Sequence, residues 1–281
     1  MRRREFVTAL AAVPVAAQTD SPIVRKGRLK QCVTRGVFGR EMAFEETCRQ
    51  AARMGCKGYD LIGPQDWPML KKYGLNPTMY PPGPGGTIPE ALNRKENHER
   101  LEKSMHAALD EAAANGVPNI ITFSGNRRGM ADAEGADNCV AYLNRVKAHA
   151  EDKGVTICME LLNSKVNHKD YMCDHTSWGV DVMKRVNSPR VKLLYDIYHL
   201  QIMEGDIVRT IRDNIQWLGH FHTGGNPGRH EIDDTQELNY RFVAKAIADL
   251  GFTGYVAHEY SPSPGHDPVQ SLNQAMEIFD V

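Results

Sequence analysis

The chain has no excess of either charge: 34 lysines and arginines meet 35 aspartates and glutamates. A chain this close to neutral lacks the broad basic face that binds phosphates, so nucleic acid is not an expected partner. It also has no C-x-x-C pair. Its six cysteines, Cys32, Cys48, Cys56, Cys139, Cys158 and Cys173, stand singly along the chain. That excludes a zinc knuckle or a dithiol redox motif and predicts buried free thiols. No stable membrane span is expected either, since the mild apolar run from Phe6 to Ala17 falls short of the roughly 20 residues that cross a bilayer. The first apolar run is followed by "TRGVFGRE" and not by G-x-G-x-x-G, which weighs against a doubly wound dinucleotide-binding sheet. Finally, no low-complexity linker follows Thr19. With 281 residues, 41% of them hydrophobic, the chain can build one sizeable core.

The N-terminus differs from the rest. "MRRREFVTALAAVPVAAQTD" opens with arginines, continues into the apolar run, and places Val15 and Ala17 at the −3 and −1 positions of a small-residue cleavage pattern. Arg3-Arg4-Glu5-Phe6-Val7 resembles a twin-arginine export signal. The expectation is a signal peptide over 1–17, a linker over 18–28 and an exported, periplasmic protein. If the segment is not a signal, the protein is cytoplasmic.

From Leu29 onward short apolar runs alternate with amphipathic stretches. The runs are Leu29–Val33, Gly58–Ile62, Leu75–Tyr80, Asn119–Phe123, Thr156–Leu161, Val191–Tyr195, Trp217–Phe221 and Gly254–His258. They are mostly uninterrupted, as strands buried on both faces are. Helical patterns lie between them. "FEETCRQAARMG", "NHERLEKSMHAALDEAAANG", "NCVAYLNRVKAHAEDKG" and "NYRFVAKAIADLG" each close on a glycine. Strand then helix, eight times over, is the count and size of a single α/β domain over 29–281, a (β/α)₈ TIM barrel. The stretch "LLYDIYHLQIMEGD" reads as a strand that ends in a charged turn.

In such barrels the chemistry sits at the C-terminal ends of the strands. Strand 5 ends "TICMELLN" with Glu160, and strand 6 ends "KLLYDIYH" with Asp196 and His199. Strand 7 ends "LGHFHTGG" with His220 and His222, and strand 8 ends "GYVAHEYSP" with His258 and Glu259. An isolated buried carboxylate costs several kcal/mol unless it is paired or bound to metal. Three carboxylates converging on one mouth repel unless a cation lies between them. Glu160, Asp196, His222 and Glu259 therefore form a candidate set for a divalent metal. Three oxygens and a nitrogen suit Mn²⁺ or Mg²⁺, with Co²⁺ or Zn²⁺ as alternatives. His220 shares the parity of His222 and reads as core or as support for a ligand; His258 points the opposite way to Glu259 and reads as packing. Arg229 and His230 rise from the glycine-rich loop "HTGGNPGRHEIDD", where an arginine can grip a carboxylate or phosphate with two hydrogen bonds. Trp67 and Trp178 read as packing.

These motifs together resemble the xylose-isomerase-like barrel superfamily, and within it the hydroxypyruvate isomerase family. The resemblance rests on the strand-5 glutamate, "YDIYH", "HFH…PGRHE" and "HEY", with "DIYHLQIMEGD" and "PGRHEID" its specific parts. It covers the chain from Leu29 and is densest from Glu160 to Pro262. The resemblance implies that Glu160 and Glu259 are both metal ligands and the acid/base pair, with Asp196 completing the metal site. It implies that His199 binds a substrate oxygen, as in the ketose 3-epimerases, and that Arg229 holds a substrate carboxylate. The substrate would be a small hydroxy-carbonyl compound or sugar, and a homo-oligomer would be in keeping with the superfamily. One position departs from the pattern: hydroxypyruvate isomerases carry glutamine where this chain has His222, and histidine there is the habit of the 3-epimerases. Isomerase, 3-epimerase and keto-glycoside lyase all stay open.

Overall fold

The computed structural model describes residues 22–281, so the signal reading of 1–17 lies outside the described residues. Eight parallel strands close into a barrel in chain order: β1 Lys30–Val33, β2 Gly58–Asp60, β3 Asn76–Gly85, β4 Asn119–Thr122, β5 Thr156–Leu161, β6 Val191–Asp196, β7 Leu218–Thr223 and β8 Tyr255–His258. β8 closes on β1 with Lys30 opposite Tyr255 and Val33 opposite His258. Every residue of β4 and of β5 is buried, as expected for strands with side chains in the lumen on one face and helices on the other. The single α/β barrel is thus the fold that the strand–helix alternation predicts.

The outer layer comprises α1 Phe44–Arg53, α2 Trp67–Lys72, α3 Lys95–Asn115, α4 Asp132–Lys153, α5 Thr176–Val186, α6 Ile197–Met203, α7 Ile207–Asn214, α8 Tyr240–Asp249 and α9 Pro268–Ile278. α1 shows the logic of the layer, with Glu45 and Glu46 near its positive N-terminal end and Cys48 and Ala51 turned to the barrel. α3 and α4 end on Gly116 and Gly154, both left-handed, at φ 74° and 68°. Among the described residues no helix is long and apolar enough to cross a membrane. All six cysteines are buried and unpaired.

Most strand ends differ from the sequence expectation by a residue or two, and three differences bear on the site. β3 runs past Tyr80 to Gly85, through Pro81, Pro82 and Pro84, which carry no N–H, and its register with β4 shifts between Tyr80 and Gly85. β7 extends to Thr223, so His222 lies within the strand and not beyond it. The stretch 193–206 is not a strand followed by a turn. After β6 it forms α6, because Asp196 caps it by accepting a hydrogen bond from the His199 backbone N–H at 3.1 Å. The residues just before β1 run without regular structure but are docked: the Ile23 N–H donates to Arg53 O at 2.7 Å, and Arg25 donates to Asn273 Oδ1 at 2.7 Å.

Candidate metal centre and active site

Adjacent parallel strands place their C-terminal residues around one mouth. Asp196 ends β6 and lies opposite His222 on β7, while Glu160 on β5 lies opposite Leu194. Glu259 follows β8 directly, its N–H held by Thr223 O at 2.9 Å. One ligand atom from each of Glu160, Asp196, His222 and Glu259 lies within 4.8 Å of all the others. His222 Nδ1 is 2.6 Å from Glu259 Oε2, 3.2 Å from Glu160 Oε1 and 4.0 Å from Asp196 Oδ2. Glu160, Asp196 and His222 are buried, and the Glu259 side chain keeps 27% of its exposure, on the open side.

Arg229 does not stand at the loop tip. The Gly225 N–H donates to His230 O at 2.9 Å, and a Cβ on Gly225 would sit 2.1 Å from Glu231 O, so only glycine allows this fold-back. Arg229 adopts a left-handed φ of 58° and turns inward over the Tyr198 ring, 4.9 Å from its centroid. Its Nη2 donates to Asp196 Oδ2 at 2.5 Å and Glu259 Oε2 at 2.6 Å. His199 is buried beside it, with Nε2 2.9 Å from Arg229 Nη1 and Nδ1 2.5 Å from Asn163 Nδ2. His230 does not join this group: it is exposed, and its Nδ1 meets Ser261 O at 2.8 Å. Trp67 packs in the core with its Nε1–H on Ile62 O, and Trp178 donates to Asp132 O, away from the mouth.

One residue at the centre is not among the sequence candidates. Asp60, the last residue of β2, is fully buried, and its Oδ2 accepts from His220 Nε2 at 2.7 Å and His222 Nε2 at 3.1 Å. Its Oδ1 receives the Thr78 hydroxyl, and Cys32 Sγ approaches it at 3.4 Å. The signal was there in "GYD", a carboxylate closing an apolar run, the same pattern as on strands 5 to 8. His220 is accordingly a partner of Asp60, and His258 is packed between Gln31 and Thr223.

The electrostatics divide the two glutamates. Burial raises Glu160 to about 7, beyond what its contact with His222 can offset. Burial pushes Glu259 the same way, but the charges of His222 and Arg229 outweigh it and hold Glu259 well below the usual range. Asp196 is likewise buried yet held low by Arg229 and His199. Burial would neutralise His222, but the Glu259 charge and the Asp60 hydrogen bond hold its proton and lift it well above the usual imidazole. Burial takes His199 down to about 3, so it is neutral.

Three carboxylates and one imidazole nitrogen within ligand distance fit a divalent cation, since hard oxygens dominate the set; without the ion, Arg229 and His222 balance the carboxylates. A proton on Glu160 and one on His222 Nδ1 would have to leave for that ion. Mn²⁺ affinity is therefore expected to rise by roughly tenfold per pH unit for each proton released between about pH 6 and pH 8. Titration calorimetry across that range in buffers of different ionisation enthalpy checks it; a flat affinity with no proton release refutes it.

Two cavities open on this cluster. One of about 300 Å³ is lined by Glu160, His168, His199, Arg229 and Glu259 among others. The other, about 320 Å³, lies toward β1 and is lined by Arg35, Asp60, Arg229, Glu259 and Tyr260 among others. Arg229 and Glu259 form the wall common to both.

Comparison with known proteins places this arrangement. A family model described as xylose isomerase-like TIM barrel matches residues 44–280. A Danio rerio protein named putative hydroxypyruvate isomerase is 32% identical over 101 residues, which is 36% of this chain and 37% of that protein. The matched stretch thus spans little more than a third of that relative. A 2-oxo-tetronate isomerase of Pectobacterium atrosepticum matches more of the length: 23% identity over 231 residues, 79% of this chain and 88% of that protein. A solved structure from Brucella melitensis described as an AP endonuclease, family 2, superposes with a TM-score of 0.79 at 25% identity, covering 89% of this chain and 98% of that one.

Proposed function

The chain belongs to the xylose isomerase-like TIM barrel family, and from that premise we propose that it is a divalent-metal-dependent isomerase of a small α-hydroxy-carbonyl acid. One observation carries the reading: Glu160 and Glu259, from β5 and the end of β8, meet Asp196 and His222 with one ligand atom each within 4.8 Å of all the others, so that two glutamates flank a single cation position. Glu259, which keeps 27% of its side-chain exposure, is assigned as the base, and Glu160, buried on β5, as the group that delivers a proton. When bound by Glu160, Asp196, His222 and Glu259, a divalent ion supplies Lewis-acid polarisation of the substrate carbonyl. Glu259 takes the proton from the hydroxyl-bearing carbon beside the carbonyl, the hydroxyl proton passes to the former carbonyl oxygen, and Glu160 delivers a solvent-derived proton to the former carbonyl carbon while Glu259 returns its own to solvent, exchanging ketone and aldehyde. His199 lines the same cavity as both glutamates and offers an imidazole nitrogen to a substrate oxygen.

An acid substrate is favoured by the cavity on the β1 side. There Arg35, stacked over Phe44 at 5.2 Å and paired with no carboxylate among the described residues, faces the same small volume as Arg229. Arg35 and Arg229 share this cavity of about 320 Å³ with Asp60 and Glu259, and because Arg229 is already held by Asp196 and Glu259, Arg35 is the group there that can take a substrate carboxylate. The relatives named hydroxypyruvate isomerase and 2-oxo-tetronate isomerase support the same class. His222 favours a second reading, a ketose 3-epimerase or a 3-keto-glycoside lyase using the same glutamates. The likeness to a structure described as an AP endonuclease is set against a chain whose charges nearly cancel, at 34 to 35.

Proton NMR separates these readings. The enzyme is incubated in D₂O with Mn²⁺ or Mg²⁺ and a panel of hydroxy acids, ketoses and keto-glycosides, and the ion is removed before measurement. Deuterium is expected at the carbon next to the carbonyl of an anionic hydroxy-carbonyl acid. Exchange confined to ketoses selects the epimerase, and no exchange in any compound refutes both.

A further inference from the structure

We propose that Asp60 is a positioning residue for the metal centre: it takes the Nε2 proton of His222 and so fixes the Nδ1 lone pair toward Glu160, Asp196 and Glu259. The inference rests on the metal site proposed above and concerns how the chain holds its one nitrogen ligand.

Both ring nitrogens face carboxylates, but only the Nδ1 side opens on the proposed cation position. His222 Nε2 faces Asp60 Oδ2 at 3.1 Å, while Nδ1 faces Glu259 Oε2 at 2.6 Å and Glu160 Oε1 at 3.2 Å. A neutral imidazole has one N–H and one lone pair. A carboxylate can only accept, so without the ion both nitrogens have reason to keep a proton; a cation among Glu160, Asp196 and Glu259 would need the Nδ1 lone pair, and the one remaining N–H then stays on Nε2, donating to Asp60. Turning the ring over would place carbon against a fully buried carboxylate oxygen and leave that oxygen short of a donor. Metal-bound histidines are commonly backed in this way, and the backing sets both tautomer and ring orientation.

Asp60 is itself held firmly enough to do this. Besides His222 it receives His220 Nε2–H at 2.7 Å, the Thr78 hydroxyl and the Cys32 thiol at 3.4 Å. These donors come from β1, β3 and β7, so the carboxylate is tied to both sides of the barrel lumen. His220 Nδ1 is buried with no partner, which fits a proton placed on Nε2 and a bare lone pair on Nδ1. Cys32, Asp60 and His220 also lie within ligand distance of one another. Every group that faces Asp60 is a proton donor, however, and four donors match the roughly four acceptor sites of one carboxylate. The trio is therefore a satisfied anion that orients a ligand, and it is not a second cation site.

The test measures Mn²⁺ affinity of the full chain, stripped and titrated by calorimetry. Wild-type protein is expected to bind, and Asp60→Asn to bind about 10- to 100-fold more weakly while keeping a cooperative melt. Thr78→Val removes a donor to the same carboxylate without touching His222. It is expected to lower the melting temperature but leave affinity within about twofold, since the hydrogen bond from His222 to Asp60 stays in place. Unchanged affinity in folded Asp60→Asn overturns the inference, as does an equal loss in Thr78→Val. If Asp60→Asn does not fold, ¹⁵N NMR of histidine-labelled wild-type protein with Zn²⁺ decides. His222 protonated at Nε2 supports the inference; His222 protonated at Nδ1 overturns it. Absence of any divalent-ion binding in wild-type protein fails the metal-site reading itself, a result distinct from binding that Asp60→Asn leaves intact.

Discussion

Glu259→Gln is expected to lower turnover by about a thousandfold, roughly 4 kcal/mol of barrier, with the fold unchanged. Glutamine keeps the size of the side chain and one oxygen near the cluster, but it cannot take a proton from carbon. Glu259 keeps 27% of its side-chain exposure, and the glutamine oxygen can still accept from the buried His222 and from Arg229. Glu259 is also the partner that most raises the His222 proton affinity, and with it neutral His222 should release its proton nearer to neutral pH. Rate measurements on the substrate identified by deuterium exchange, with circular dichroism as the fold control, decide the matter. A folded Glu259→Gln enzyme that turns over at the wild-type rate would sink the two-glutamate mechanism. Activity within about tenfold at saturating metal would reassign Glu259 from base to ligand alone.

The second large effect is expected on chelation. Removing divalent ions should bring isomerisation below detection and lower the melting temperature. An ion held at 100 times its Kd contributes about 2.7 kcal/mol, which for a domain of this size is a shift of roughly 5–10 °C. Mn²⁺ or Mg²⁺ should restore both. The physical basis is the charge balance at the mouth, where Glu160, Asp196 and Glu259 lie within 4.8 Å of one another with Arg229 and His222 as the compensating groups. Metal analysis that finds no divalent ion in fully active protein would remove the metal from the mechanism.

Much of this was readable from the chain. The eight apolar runs, unbroken because both faces of each strand are covered, were enough for the barrel. The barrel in turn says which end of each strand to inspect. Glu160, Asp196, His222 and Glu259 stand out because charged residues directly after apolar ones must be compensated. Asp60 obeys the same rule on β2 but stands alone in its quarter of the sequence, and its partners are side chains on β7 that no local pattern connects to it. Arg229 and His230 are neighbours in one glycine-rich loop and read alike. Only the fold-back at Gly225 sends one into the cluster and leaves the other in solvent. Likewise Asp196 could be read as a strand end, but not as a helix cap, because "IYHLQIM" is too short and apolar to show helical periodicity.

The distance in sequence between Asp60 and its imidazole donors has a consequence for how the barrel is made. Those donors follow it by 160 and 162 residues. At a synthesis rate of about 5–20 residues per second, Asp60 waits roughly ten to thirty seconds for them. Closing the early strands over an unmatched carboxylate would cost several kcal/mol. Until β7 arrives, Asp60 has only the Thr78 hydroxyl and the Cys32 thiol as donors, and its charge meets the imidazoles only when Glu160 and Asp196 are already in the chain.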